Sequence, residues 1–237
     1  MALMKKIRNA KNKKSSQIAF IIILALIVVG LVISFAFMGT SNIKTNVSSN
    51  DISSQIKTYE SAISQSRSDL SKNPGNYSTV KGLADLLYNV GNLYGQNSQN
   101  TKMTAAFIEA GDLYLEALKY APTELNDAGK ASLYYQAGMS YWFGSEDDLS
   151  TENFEKAIAL APASYEINAT YATVLFYSGK TEVAVKVVDN CLAAMGEDGE
   201  YYSEMLSFKE NLAKSIEELS KAAENENTTE NSGETTK

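Results

Sequence analysis

Histidine is absent from this sequence of 237 residues, and cysteine occurs once. Without an imidazole, the chain has no Ser-His or Cys-His nucleophile pair and no zinc site that includes histidine. A single cysteine, Cys191, makes neither an intramolecular disulfide nor a thiolate cluster. Prolines number three, well below the usual roughly 5 %, so long uninterrupted helices are expected. These absences point away from catalysis and towards a helical scaffold.

Positive charge is scarce and unevenly placed. The chain has 21 lysines and arginines against 28 acidic residues, and its pI is near 4.8. Six of the cations lie in residues 1–17, a basic segment that we expect in the cytoplasm, whereas the first acidic residue is Asp51. An acidic chain lacks the basic face that nucleic acids require, so no nucleic-acid partner is expected.

Residues 18–38 form a run of 21 residues without a charge. As a helix with a rise of about 1.5 Å per residue, this run would extend about 31 Å, which matches a hydrocarbon core of about 30 Å. The run therefore predicts a transmembrane helix, with the preceding cations held on the cytoplasmic side. We expect a single-pass protein of the bacterial cell membrane. Residues 39–237 would lie outside the cytoplasm.

Two alternatives to this anchor are a cleaved signal peptide and a buried core helix. Ser34, Phe35 and Ala36 offer a small-x-small cleavage site, although the apolar run exceeds the roughly 7–15 residues usual in signal peptides. A core helix would carry an apolar stripe rather than apolar side chains all round. We expect an uncleaved anchor.

The rest of the chain divides by composition into a linker, a helical domain and a tail. Residues 39–50 are small and polar, as in a flexible linker, and residues 224–237 lack apolar side chains and are expected to be disordered. In residues 51–223, apolar side chains recur at spacings of three and four, which predicts amphipathic helices. One such stripe, in residues 52–70, opens the domain.

A period of 34 residues is present within the helical domain. Its clearest copy, residues 131–164, has the following residues at fixed positions: Tyr134, Ala137, Gly138, Tyr141, Ser150, Phe154, Ala157 and Pro162. This order resembles the tetratricopeptide repeat, in which W-x2-L-G-x2-Y is followed by a small residue, F, A and P. Residues 165–198 form a weaker copy. Residues 77–124 form a third, with about 14 extra residues that are expected to lengthen the turn between its two helices.

The resemblance covers about residues 55–198 and implies an all-α fold in which antiparallel helix pairs stack into a right-handed solenoid. We expect about eight helices, comprising about three repeats and flanking helices, with residues 200–223 as a capping helix. Small residues at positions 8, 20 and 27 of each repeat, including Cys191, would be buried where helices approach closely. Pro74, Pro122 and Pro162 would each end a unit, because proline cannot continue a helix.

The same resemblance implies a concave groove, lined by positions 2, 5, 9 and 12 of each first helix. The candidates for partner contact are Lys81, Asp85, Tyr88, Tyr135, Met139, Trp142, Thr173 and Phe176. Aromatic side chains with a polar tip are common anchors in peptide recognition. Trp142 and Phe176 have a second interpretation, as core residues covered by the closing helix, and both interpretations stay open.

Other motifs have simpler structural explanations, and no catalytic, metal or cofactor site is predicted. Residues 146–148 are acidic but lack the spacing of a calcium loop, so we expect a turn in which Asp148 or Ser150 caps the next helix. Cys191 has no basic neighbour that would favour a reactive thiolate. Asn-x-Ser/Thr occurs at Asn46, Asn76, Asn168 and Asn227.

The leading hypothesis is a non-enzymatic scaffold, anchored in the membrane, whose groove binds a protein or peptide partner in export, folding or assembly of envelope complexes. Few groove cations are present, which argues against a clamp for a partner's terminal carboxylate and leaves an apolar, aromatic or basic segment as the partner. The alternative is a structural subunit that self-associates through the solenoid edge or the stripe in residues 52–70 and has no peptide-binding groove.

Overall fold

Eight α-helices occupy residues 49–231, and this computed structural model describes the backbone of those residues and the side chains of residues 51–221. The helices are α1 (Ser49–Lys72), α2 (Tyr77–Gln96), α3 (Asn100–Lys119), α4 (Asp127–Phe143), α5 (Asp147–Leu160), α6 (Tyr165–Tyr177), α7 (Thr181–Met195) and α8 (Tyr202–Asn231). This part of the chain contains no strand. The all-α class and the number of helices predicted from the sequence are confirmed for it.

The localisation predicted from the sequence is contradicted. Between residues 49 and 231, no helix is long and apolar enough to cross a membrane, because the helices are either short or interrupted by polar and charged side chains. The predicted span itself, residues 18–38, lies outside the described residues, as do residues 1–17 and most of the predicted linker.

Residues 49–218 belong to one compact unit, and the described residues 219–231 belong to a second. Within the first unit, each helix from α1 to α6 packs on the helix that follows it. Short connections between packed neighbours make consecutive helices antiparallel. The described part of the second unit is the end of α8, which continues to Asn231. The backbone is therefore helical as far as Asn231, whereas the sequence predicts disorder from residue 224 onwards.

The first helix of each predicted pair begins in the same way. The N-cap residues of α2, α4 and α6 are Asn76, Asn126 and Ser164, and each side chain accepts a hydrogen bond from a backbone N–H three residues later. Such caps satisfy one of the free N–H groups at a helix start. The chain's three prolines lie in the connections that precede these helices. The prediction that the prolines separate units is thus consistent with the observed helix bounds.

The connection inside each pair is one tight turn that occurs three times. Its central residue has a positive φ, and these residues are Ser98 (57°), Ser145 (64°) and Gly179 (75°). In each turn, the next N–H donates to a carbonyl five residues earlier at 2.8 Å. This bond belongs to the Schellman arrangement, which satisfies the last carbonyls of a helix. Repetition of the turn indicates that the sequence period is also a structural period.

The extra residues of the 77–124 segment lengthen its helices, so the prediction of a longer turn is wrong. α2 runs to Gln96 and α3 starts at Asn100, which leaves the same short connection as in the other two pairs. The inserted stretch supplies apolar side chains to both helices: Tyr94 of α2 is buried, and Met103 of α3 packs against the same core. Burial of these side chains favours two longer helices over an extended loop.

An aromatic ring from the following helix covers a glycine at three successive contacts. The pairs are Gly91 with Phe107, Gly111 with Tyr141, and Gly138 with Phe154. A Cβ atom added at these glycines would lie 3.1, 2.9 and 3.0 Å from the respective ring. The three rings are buried. These glycines therefore make room for a ring of the next helix. The repeat pattern predicts instead a close approach of two helix backbones at such small residues.

Replacing Gly138 by alanine is expected to lower the free energy of unfolding by about 1–3 kcal/mol, because the new methyl group overpacks the contact with Phe154. The matched control is Gly82→Ala, where an added Cβ would meet nothing within 4 Å. There the better helix propensity of alanine should raise stability by up to about 1 kcal/mol. Urea unfolding followed by circular dichroism measures both, and changes of the same sign would contradict the ring contact.

Candidate functional site

Aromatic side chains of α2, α3 and α4 form one contiguous cluster. The ring of Tyr88 lies edge-on to Phe107 and Phe143, with centroids 5.3 and 6.2 Å away. Phe107 and Phe143 are stacked at 4.9 Å, and Trp142 lies 4.9 Å from Phe143. These contacts place a ring of α2 against a ring of α4, although α3 separates the two helices along the chain.

The row continues towards α6 through Tyr135. Its ring lies 6.0 Å from Phe154, and its hydroxyl lies 3.4 Å from Thr170 Oγ1. The half-buried aromatic and apolar side chains at the predicted groove positions of α2, α4 and α6, together with Phe143, are here termed the aromatic face. It comprises Tyr88, Tyr135, Met139, Trp142, Phe143 and Phe176.

The eight residues predicted for partner contact are all half-buried. Five of them belong to the aromatic face, and a sixth, Thr173, lies on α6 with its hydroxyl donating to the Ala169 carbonyl at 2.8 Å. Trp142 and Phe176 pack against the core on one side and keep part of their surface exposed. Both residues are thus partly core residues, and their contact with a partner stays a prediction.

The remaining two candidates, Lys81 and Asp85, are paired with each other. The Lys81 Nζ lies 2.8 Å from Asp85 Oδ2, one helical turn away on α2. The other carboxylate oxygen accepts a hydrogen bond from the Tyr114 hydroxyl at 2.8 Å. Lys81 and Asp85 thus form an ion pair without net charge, and neither is free to select an ionic ligand.

The phenols of the aromatic face are neutral at pH 7, as ordinary tyrosines are, and burial raises their pKa further. Burial, followed by the charge of Glu166, raises the pKa of Tyr135 to about 12. Burial and the neighbouring Tyr135 raise the pKa of Tyr88. Among the described residues, the Tyr88 hydroxyl and the Trp142 indole N–H have no hydrogen-bond partner. At neutral pH the face therefore offers uncharged hydrogen-bonding groups next to exposed ring surface.

Phe143 and Phe107 are part of the cluster but are not predicted from the sequence. Phe143 falls outside the groove positions of the repeat, and Phe107 lies on the second helix of its pair. The available signal was local: residues 141–143 are three consecutive aromatics, which spread over most of the circumference of α4. At least one of them must then face away from the core.

A second concavity of about 390 Å³ lies between α1 and α3, with an apolar floor that includes Leu87 of α2. Ion pairs cross it at two levels, Glu60 with Lys102 at 3.3 Å and Arg67 with Glu109 at 2.6 Å. Each cation of this cleft is paired with a carboxylate. The cleft consequently has no free charge that would select an ionic ligand.

Two of the motifs noted in the sequence are buried. The Cys191 thiol donates to the Ser164 carbonyl at 3.8 Å, and burial raises its pKa to about 11. This thiol is structural, as predicted, because a raised pKa disfavours the reactive thiolate. Asn168 is 1 % exposed, and its amide donates to the carbonyls of Pro162 and Ser164. It is therefore inaccessible as a glycosylation site.

The acidic stretch at residues 146–148 is exposed at the start of α5. The prediction that Asp148 or Ser150 caps this helix is wrong, because the tight turn places Glu146 at the N-cap without a side-chain bond. Ser150 is buried instead, and its hydroxyl has no partner in the described part of the chain. Within the same residues, no group of three His, Cys, Asp or Glu side chains could hold a metal ion.

The chain matches no protein-family model and no curated protein. Its function must therefore be argued from geometry. Of the surfaces described, the aromatic face combines exposed ring area with unused hydrogen-bonding groups, whereas the cleft between α1 and α3 has its charges satisfied internally. The aromatic face is accordingly the candidate functional site.

Stability is expected to decrease as the pH rises above about 10. Burial is the main cause that raises the pKa of Tyr94, Tyr135 and Tyr171 to about 12, whereas an unfolded tyrosine has a pKa of about 10. Below pH 10 both states are protonated and the full stability is present. Above it the unfolded chain ionises first, so the free energy of unfolding falls until the folded pKa is passed.

Urea unfolding at a series of pH values, with near-ultraviolet absorbance to detect tyrosinate, measures this effect. The Tyr135→Phe variant should lose less stability over the same pH range, because one of the contributing phenols is gone. Full ionisation of the tyrosines near pH 10 without loss of helicity would contradict the expectation.

Proposed function

We propose that this protein is a non-enzymatic, tetratricopeptide-like scaffold that binds a segment of a partner protein along the aromatic face. In this proposal α2 to α7 are three helix pairs of a right-handed solenoid, flanked by α1 and α8. The three identical turns and the three capped first helices support the repeat, since unrelated helix pairs would have no reason to share them.

Burial of the small residues at repeat positions 8, 20 and 27 also supports this fold. These residues are Ala84, Ala110, Ala117, Gly138, Ser150, Ala157, Ala172, Ala184 and Cys191. Every one of them is buried. Stacked helix pairs require small side chains at such close contacts, because each pair cannot bury its apolar surface alone.

The observation that carries the proposed function is the continuity of half-buried aromatic surface along the first helices of the pairs. Large aromatic side chains contribute much contact area while losing little rotamer freedom, which makes them frequent anchors of protein interfaces. Tyr88, Tyr135 and Trp142 combine such area with hydroxyl or indole groups that can bond a peptide backbone.

Photocrosslinking tests this proposal. A photoreactive amino acid at Tyr135 or Trp142 of the full chain is expected to crosslink to the same partner protein, identified by mass spectrometry. The controls are Glu155 and Lys186, which are exposed on the second helices α5 and α7. Equal labelling from the control positions would refute binding along the aromatic face.

Self-association is the alternative function, and exposed apolar side chains on and before α8 favour it. Tyr201 is 46 % exposed and Leu206 is 41 % exposed, so that apolar surface at the start of α8 is open to contact. The stripe in residues 52–70 does not favour it, because Ile56 and Ile63 are buried against the core. Self-association would therefore use the C-terminal surface.

Sedimentation of the full chain separates the two functions. If the C-terminal surface drives assembly, a stable oligomer should form and the Leu206→Glu variant should dissociate it. A monomer across a wide range of concentrations would refute the alternative and leave the scaffold proposal standing.

A further inference from the structure

α1 is attached to the domain less firmly than its neighbours α2 and α3. Two of its described side chains, Ile56 and Ile63, are buried, whereas α2 and α3 bury seven residues each. The exposed side of α1 is polar, since serine occupies eight of its 24 positions. Few buried apolar contacts are typical of a segment that opens at low free energy. We therefore expect α1 to detach more readily than α2 or α3.

Two ion pairs connect α1 to α3 across the open cleft. The Lys102 Nζ lies 3.3 Å from Glu60 Oε1, and the Arg67 Nη2 lies 2.6 Å from Glu109 Oε1. All four side chains are more than 40 % exposed. These two pairs are here termed the ionic latch. Since a cleft of about 390 Å³ lies between the helices, charged contacts hold α1 against α3 where dense apolar packing would otherwise do so.

The cleft has an apolar floor, which α1 covers. This floor includes Leu87, Val90 and Tyr94 of α2, and all three residues are buried. The Tyr94 hydroxyl donates to Glu60 at 2.7 Å, so that the same carboxylate of α1 is held from both α2 and α3. Release of α1 would consequently expose apolar surface of α2 to water.

The connection between α1 and α2 provides a boundary at which the two helices can separate. It comprises residues 73–76, and Gly75 has a φ of 84°. Asn76 caps α2, because its side chain accepts a hydrogen bond from the Thr79 N–H at 2.9 Å. This cap is made within α2, so its start does not depend on α1. The serines of α1 are weaker helix formers than alanine or leucine, so a detached α1 would lose helical structure.

We infer that α1 is a releasable strap, which the ionic latch holds over the apolar floor and which opens as one unit at residues 73–76. Salt screens exposed charges, with a Debye length of about 10 Å at 0.1 M and about 3 Å at 1 M. Rising ionic strength therefore favours the open strap, in which Leu87 and Val90 become accessible. The inference does not depend on binding of a partner at the aromatic face.

Hydrogen–deuterium exchange of the full chain, resolved by mass spectrometry, tests this inference. Peptides from α1 should exchange faster than peptides from α6, in which seven of 13 residues are buried. Between about 0.02 M and about 0.5 M sodium chloride, exchange in α1 should accelerate by about two- to fivefold, as expected for the loss of exposed ion pairs. Exchange in α6 should not change.

Two matched variants locate the effect in the ionic latch. Glu109→Gln weakens the latch from α3, without changing the sequence of α1, and should accelerate exchange in α1 by about two- to fivefold at low salt. The control is Glu152→Gln, which removes the same charge and an ion pair of the same length, 2.6 Å, but one formed with Lys156 inside α5. The control should leave exchange in α1 unchanged, and equal acceleration in both variants would overturn the inference.

The pattern of exchange along α1 distinguishes opening of a strap from other motions. Uniform exchange over residues 51–72 would support opening as one unit. Fast exchange confined to residues 51–59, with residues 60–72 as protected as α6, would show fraying of the helix end and would overturn the inference. Equal rates in α1 and α6, or rates in α1 that do not respond to salt, would overturn it too.

Discussion

The seating of an aromatic ring on a glycine of the preceding helix determines how four successive helices stack. Phe107 of α3 lies on Gly91 of α2, and the same contact recurs from α4 to α3 and from α5 to α4. At this contact only a glycine leaves enough room for the ring. The position of the ring therefore sets both the distance and the rotation between the two helices. The position of each later helix follows from the one before.

Hydrogen bonds from tyrosine to carboxylate reinforce this arrangement. Each bond joins a helix to the helix before it: Tyr94 to Glu60 at 2.7 Å, Tyr114 to Asp85 at 2.8 Å, and Tyr141 to Asp112 at 2.7 Å. Tyr141 takes part in both devices, because its ring covers Gly111 while its hydroxyl reaches the adjacent residue of α3. A charged acceptor strengthens such a bond and fixes the direction of the ring. Packing and polar contacts thus specify the same relative orientation of α3 and α4.

The number of helices, the all-α class and the prolines between helix pairs could be predicted because they depend on local chemistry. Proline positions and the 34-residue period are properties of short segments, and the observed helix starts agree with them. The insertion forms helix rather than a longer turn because Tyr94 and Met103 pack into the core, which the polar composition around them does not indicate. The predicted localisation is contradicted within residues 49–231, since the helices there carry polar and charged side chains at intervals.

The aromatic face was predicted only in part, for a different physical reason. Repeat positions indicate which side of one helix points towards its neighbours, but a cluster such as Tyr88, Phe107 and Phe143 draws on three helices. Which rings meet depends on helix rotation, and rotation is set by the glycine contacts. Phe143 has no repeat position that marks it, and its place in the cluster depends on its ring contacts with Tyr88 and Phe107 of two other helices.

The same contacts make the candidate site rigid. Tyr88 packs on Phe107, and Phe107 in turn rests on Gly91, so the exposed side of the aromatic face is continuous with the core. Side chains held in this way lose little additional freedom when a partner binds, and preorganisation of this kind leaves more of the contact energy as affinity. The fold therefore supplies more than a surface of suitable composition. It holds the rings of Tyr88, Tyr135 and Trp142 in place through contacts with other aromatic rings.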